Sequence, residues 1–322
     1  MSGFDVFKTT VRLVDYRYRP TIRYNAPMII TVIGASGFLG HHLVQHLLDT
    51  TDHTVRAFCR SAASLDFGQQ WPGRLELIAG SVLEPDDLQQ ALRGSDVVYH
   101  LVHFMGSPDG DFYDLEAQSA HMLGQAAERC GVKRLIFMGG LGDDADKLSK
   151  HLASRHNTGR ILREHSPQTI EFRASMIIGE GSVAYDIVRT IAKRLPVLMV
   201  PRWAVTKTQP IALEDALAYL TAALSLQTTS DEIVEIGGPQ QLTYEDLVLL
   251  YGRKLGRREH VFAVPGVPHW LAIKWINFFM PPKHSDIAGP MVESLSNRMV
   301  VTNDSASRLF PTIHPKPITE AF

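Results

Sequence analysis

Cysteine is scarce: among 322 residues only Cys59 and Cys130 occur. That excludes a disulfide-stapled secreted scaffold and points to a reducing, cytoplasmic compartment. Net charge is also nearly absent, at −2, so the dense Lys/Arg surface that nucleic acid demands is missing and no such partner is expected. The 14 histidines show no HExxH spacing and the cysteines no CxxC, so no metal site is expected. A transmembrane helix needs about 20 apolar residues, and no such run exists. The nearest stretch, within residues 269–281, is too short and carries Lys274. It reads as a core helix, a lid or a weak membrane-surface contact. Residues 1–27 lack the apolar core of a secretory signal, and Lys8, Arg12, Arg17, Arg19 and Arg23 make them a mildly basic extension.

What is present is a rhythm. Apolar runs at 28–33, 54–59, 75–78, 96–102, 134–138 and 169–173 alternate with helical patterns at 37–48, 86–92, 115–130 and 151–164. Alternating βαβ units predict an α/β fold, a Rossmann-type doubly wound parallel sheet with helices on both faces. After residue 176 prolines gather, and helical patterns at 183–194, 213–224 and 244–255 are spaced by apolar runs at 196–200 and 233–236.

The strongest motif is the turn Gly34-Ala35-Ser36-Gly37-Phe38-Leu39-Gly40, which follows the first strand and opens a helix striped with Leu39, Leu43 and Leu47. A pyrophosphate must approach backbone N–H groups at a helix N-terminus, where the dipole favours negative charge. Gly34 and Gly37 leave room for that approach, Gly40 lets the helix pack on the sheet, and Ser36 adds a hydroxyl. This pattern in a βαβ unit predicts a dinucleotide site. After the second strand come Arg60 and Ser61, with no acid before Asp66. An acid there would grip the ribose of NAD, whereas Arg60 suits the 2′-phosphate of NADP. NADP(H) is therefore expected, with NAD(H) the alternative. The organisation read from these features is an extension over 1–27, a dinucleotide-binding domain over 28–178, and a smaller C-terminal α/β lobe over 179–322. That lobe closes a pocket and partly completes the sheet.

The GxxGxxG turn, His100–Gly106, Arg134–Gly142, His151–Arg155, Phe172–Gly179 and Gln209–Ala212 follow one another in order. Together they resemble the atypical short-chain dehydrogenase/reductase family, in its NmrA-like branch with the bacterial YbjT-like NAD(P)-binding proteins. The resemblance covers about residues 28–310. It implies that Gly34, Ala35, Ser36, Gly37, Phe38, Leu39 and Gly40 hold the pyrophosphate, and Arg60 with Ser61 the adenosine phosphate. Ser81 and Val82 would contact the adenine, where many relatives carry Asp. Leu101, Val102 and His103 would lie beneath the cofactor, Gly139 beside it, and Ser175, Met176 and Ile177 near the nicotinamide.

Active members of that superfamily use Tyr-x-x-x-Lys on the helix after the fifth strand, with a Ser or Thr just past that strand. Here the four-residue spacing holds His151 and Arg155, and Gly139-Gly140 stand where the Ser belongs. His151 is a general-acid candidate with Arg155 on the ribose, or else a polar residue at a helix start. His103 and Tyr113, on the loop after the fourth strand, are rival donors; His103 read blandly is a backbone-bonded loop histidine. Met105, Arg202 and Trp203 are expected to line the pocket of a small-molecule substrate. Two functions of different class follow. One is an NADP(H)-dependent oxidoreductase acting on a small carbonyl or quinone-like compound. The other is a non-catalytic NAD(P)H-binding redox sensor or accessory protein, of the NmrA-like or complex I accessory-subunit kind. Sugar-nucleotide epimerase chemistry is a third reading, which also normally needs the Tyr.

Overall fold

The structure is a computed structural model that describes residues 26–61, 63, 65–67, 71–105, 111–165, 167–194, 197–201, 206–256, 260–264 and 294–322. Residues 1–25, Arg202, Trp203 and residues 269–281 lie outside the described residues. The first half runs β1 (Ile29–Ile33), α1 (Phe38–Thr50), β2 (Thr54–Cys59), β3 (Leu75–Ala79), α2 (Pro85–Leu92), β4 (Val97–His100), α3 (Phe112–Cys130), β5 (Arg134–Gly140) and α4 (Lys150–Arg163). Then come β6 (Gln168–Ala174), β7 (Ile177–Ile178), α5 (Val183–Arg194), β8 (Val197–Pro201), β9 (Lys207–Thr208), β10 (Ile211–Ala212) and α6 (Leu213–Ala222). The chain closes with β11 (Glu232–Ile236), β12 (Leu242–Thr243), α7 (Tyr244–Lys254), β13 (His260–Val264) and α8 (Ser305–Leu309).

Seven strands form one sheet in the order β3-β2-β1-β4-β5-β6-β11, and every neighbouring pair is parallel. Buried on both faces, such strands read as unbroken apolar runs rather than alternating ones. All four residues of β4, Val97 to His100, are buried. One core cluster packs Ile30, Val32, Leu43 and Leu47 with Phe172 and Leu217; another packs Ile33, Phe58 and Val98 with Leu88, Leu123 and Phe137. From β1 the order runs one way to β2 and β3 and the other way to β4, so a crevice opens beyond the carboxyl ends of β1 and β4.

Several boundaries differ from the sequence expectation, and three of them have a local reason. Helix α3 starts at Phe112 rather than 115 because Asp111 caps it, accepting from the Tyr113 N–H at 3.0 Å. Strand β5 continues to Gly140 because its pairing with β6 runs on to Ala174. Strand β4 stops at His100, although the Leu101 N–H still donates to the Ile33 carbonyl at 2.9 Å.

Helix α4 buries Ser154, Arg155, His156 and Thr158 beside the apolar Leu152, Ile161 and Leu162, so polar contacts help to hold it. Arg163 pairs with the buried Glu171 of β6, and His156 bridges the Asp144 carboxylate and the Gly140 carbonyl. The C-terminal segment clasps both ends of this region. Asn297 accepts from the Ser149 N–H at 2.9 Å, and Glu235 on β11 accepts from the Thr302 N–H at 2.6 Å. No helix of the described residues is long and apolar enough to cross a membrane.

Candidate functional site

The crevice is built around Gly34. Its φ of +90° is a left-handed conformation that favours glycine, and a Cβ there would stand 2.9 Å from the Leu101 carbonyl carbon. The Gly34 and Ala35 N–H groups both donate to the Phe58 carbonyl, at 3.1 and 3.2 Å, which ties the turn to β2. A Cβ at Gly40 would lie 2.2 Å from the Gly34 carbonyl oxygen, so the glycine sets how closely α1 approaches β1. Helix α1 starts after Gly37 with no side-chain cap and no acid in its first turn. Its leading N–H groups are thus left for an anion, at the positive end of the helix dipole.

A cleft of about 500 Å³ extends from this turn. Gly34, Ser36, Gly37, Arg60, Ser81 and Val82 line it, together with Leu101, Val102, His103 and Met105. Bare glycine backbone, an uncapped helix start and a guanidinium suit a dinucleotide's pyrophosphate and adenosine phosphate. A second cavity of about 640 Å³ lies at the opposite ends of the strands, beside Met28, Asp96 and Arg134. Its charges are already matched: Lys133 pairs with Asp96 at 2.8 Å, and Arg134 donates to the Ala223, Leu224 and Leu226 carbonyls. The glycine cleft is the better candidate.

Other expected residues stand back from the cleft. Ala35 and Gly40 are buried beneath the turn, and Leu39 packs on the core. The Phe38 ring lies beside Gly179 and Gly181. The Ser61 carbonyl accepts from the Cys59 thiol at 3.2 Å. Gly139 is buried within β5. Ser175, Met176 and Ile177 sit where β6 passes into β7, and the Ser175 hydroxyl is buried with no hydrogen-bond partner among the described residues. Tyr113, expected on a loop, belongs to the first turn of α3.

His103 and His151 are brought together. Their rings stack with centroids 4.9 Å apart and their Nε2 atoms 2.9 Å apart. His103 Nδ1 lies 2.8 Å from Oε1 of Glu116, and His151 Nδ1 lies 3.0 Å from Oγ of Ser294. Glu116 is buried and also accepts from the Ser154 hydroxyl at 2.7 Å, with Arg155 at 3.4 Å. Burial opposes its ionisation. The charge of Arg155 and the hydrogen bonds from His103 and Ser154 overcome that and hold the carboxyl far below the usual carboxylate range. Desolvation, then repulsion between the protonated forms of His103 and His151 and the charge of Arg155, lower His151 to about 3. His103 is lowered by desolvation and Arg155, against the pull of Glu116.

Arg155 itself is buried, its guanidinium 4.5 Å from the centre of the Phe137 ring. It donates to the carbonyls of Val102 at 3.1 Å and Met138 at 2.5 Å, binding the ends of β4 and β5 together. Behind it His100 is buried and lowered to about 3 by desolvation and Arg155, and its Nδ1 has no hydrogen-bond partner among the described residues. Glu116, Ser154 and Ser294 had not been singled out in the sequence. The signal for Glu116 was a charge on the α3 stripe of Ser119, Ala120 and Leu123.

Comparison with known proteins agrees with this geometry. Residues 34–190 match the family described as NAD(P)H-binding. The photosystem II assembly factor Ycf39 of Cyanophora paradoxa is 23% identical over 245 residues, 74% of this chain and 72% of that protein. Subunit 9 of the NADH dehydrogenase [ubiquinone] 1 alpha subcomplex of Arabidopsis thaliana is 25% identical over 230 residues, 68% of this chain. Only 56% of that subunit's length is matched. Among solved structures, the NADPH-dependent quinone oxidoreductase QOR2 of Escherichia coli, complexed with NADPH, superposes with a TM-score of 0.70. At 18% identity over 90% of this chain and 97% of that one, the likeness is one of fold.

Proposed function

Because residues 34–190 are an NAD(P)H-binding domain and the chain has homologues in the atypical short-chain dehydrogenase/reductase group, we propose that it is an NADP(H)-dependent oxidoreductase acting on a small carbonyl or quinone-like compound. Gly34, Ser36, Gly37 and the start of α1 hold the pyrophosphate, and Arg60 the 2′-phosphate. When bound, the reduced cofactor supplies a hydride. The protein's own part is to orient the substrate oxygen beside Leu101–Met105 and to protonate it. The observation that carries this reading is the histidine pair, in which His103 lines the cleft and His151 stacks on it, backed by the buried carboxylate of Glu116. It stands in for the missing Tyr and Lys. Arg155 acts from below, as a positioning residue.

The sensor or accessory reading keeps one observation in its favour: every ring nitrogen of His103 and His151 already has a partner within the protein. NADPH oxidation across a panel of aldehydes, ketones and quinones separates the two. Turnover supports the reductase; NADPH bound tightly but never oxidised supports the sensor. For cofactor choice, Arg60→Ala is expected to weaken NADPH by about 10–100-fold, the value of a charged hydrogen bond, and to leave NADH nearly unchanged. Equal losses for both in a fluorescence titration would remove Arg60 from the phosphate.

A further inference from the structure

We infer that Ser149, Ser294, His151, His103 and Glu116 form one directed hydrogen-bond chain, which presents a proton at His151 Nε2 and delivers another to His151 Nδ1 as the first one leaves. This rests on the reductase reading for its use, but not for its existence. Glu116 and Ser294 are positioning residues in it.

The direction follows from the carboxylate end. At one end, Glu116 faces donors: the Ser154 hydroxyl at 2.7 Å, Arg155 at 3.4 Å and the Phe104 N–H at 3.4 Å. A carboxylate so surrounded accepts, so His103 Nδ1, 2.8 Å away, carries a hydrogen. A neutral imidazole protonated at Nδ1 has a lone pair at Nε2. The hydrogen in the 2.9 Å link between the rings therefore belongs to His151 Nε2. His151 Nδ1 is left as an acceptor, and Ser294 Oγ at 3.0 Å donates to it. At the other end, Ser149 caps α4 by accepting from the Leu152 N–H at 3.3 Å. Its own hydrogen is directed to Ser294 Oγ, 3.0 Å away. The Glu116 end imposes the sense, and the Ser149 end is compatible with it: Ser149 to Ser294 to His151 to His103 to Glu116. Desolvation and nearby cationic groups keep both imidazoles neutral at pH 7.

The chain has a chemical use. A substrate oxygen reaching the pair replaces His103 as acceptor of the His151 Nε2 hydrogen. The carbonyl carbon takes a hydride, with its two electrons, from a reduced nicotinamide cofactor, and the C=O π pair moves to oxygen. Oxygen takes the proton from His151 Nε2, so one C–H and one O–H bond form. His151 Nδ1 takes the Ser294 proton, Ser294 takes that of Ser149, and Ser149 takes one from water, leaving a hydroxide that the bulk solution neutralises. The two Nε2 lone pairs then face each other, an unfavourable contact that favours reset by exchange with water.

The test has two readouts on the full chain. In the first, ¹⁵N-labelled protein with NADPH at pH 7 is examined by long-range ¹H–¹⁵N histidine spectra, assigned with His103→Phe and His151→Phe. His103 is expected as the neutral Nδ1–H tautomer and His151 as the neutral Nε2–H tautomer. A charged ring or the opposite tautomer in either would overturn the chain, whether or not any substrate is known. In the second, Ser294→Ala is expected to lower kcat by about 10-fold or more, since a placed acid contributes 100-fold upward. NADPH affinity stays unchanged, and Ser294→Thr restores the rate. An unaltered kcat in Ser294→Ala, with tautomers as expected, would overturn the relay. Absence of turnover by the unmodified protein would count against the reductase reading alone and leave the tautomers to decide the chain.

Discussion

Gly40→Ala is expected to lose both fold stability and the dinucleotide, while Gly37→Ala loses the dinucleotide alone. The new Cβ of Gly40→Ala would fall 2.2 Å from the Gly34 carbonyl oxygen, a backbone atom in a turn tied to β2. Nothing there is a flexible side-chain end, so α1 must move away from β1. Overpacking of this kind costs about 1–3 kcal/mol. The same movement carries the α1 N–H groups off the anion; losing two charge-assisted bonds of about 1.5 kcal/mol each weakens NADPH roughly 100-fold. At Gly37 the nearest atom to a Cβ is the Gly34 oxygen at 3.3 Å, and φ of −75° suits any residue. That methyl intrudes on the cleft rather than the core. Thermal melts without ligand and NADPH titrations with both variants check the contrast. If Gly40→Ala melts and binds like the unmodified chain, the turn does not work as described.

Glu116→Ala is the second large effect. It leaves Arg155, 6% exposed at its side chain, without its counter-charge. Breaking a buried pair from one side costs about 3–5 kcal/mol. Glu116→Gln keeps an acceptor for His103 and is expected to cost less. The pH dependence has one sign throughout. Glu116 is depressed in the folded state, so its contribution is present above the unfolded value of about 4.3 and is lost as pH falls below it. His100 and His151, each lowered to about 3, are neutral when folded. The unfolded chain protonates these below about 6.5, so their contribution also fades as pH falls from there toward 3. Melting temperature should therefore drop from about pH 6.5 downward, earlier than carboxylates alone would give. A melting temperature flat between pH 6.5 and 5 would contradict the buried neutral histidines.

The strands and helices were legible wherever the signal was local. The run 54–59 and the helix 183–194 are where periodicity put them, and the glycine turn announced the crevice. Contacts between distant segments were not legible. The sequence implies that the C-terminal lobe partly completes the sheet, but the apolar run at 233–236 does not say that its partner is β6, alongside which it lies parallel from Glu232 to Ile236. His151 and Arg155 do share α4, but Arg155 turns toward the Met138 and Val102 carbonyls, just past the point where the pairing of β4 with β5 ends at His100 and Phe137. Ser294 carries no motif; only folding brings it to His151.

That last contact sets an order of assembly. Residues 29–59 and 97–103 frame the glycine crevice, whose strand pairings join positions as near as Ile29 and Thr54. The contact between His151 and Ser294 spans 143 positions. Closing the longer loop costs only about 1.5 kcal/mol more than closing the shorter one, but contacts of large sequence separation form late. During synthesis the crevice can thus take shape while the residue that orients His151 is still unmade. The C-terminal segment is the last piece the machinery waits for.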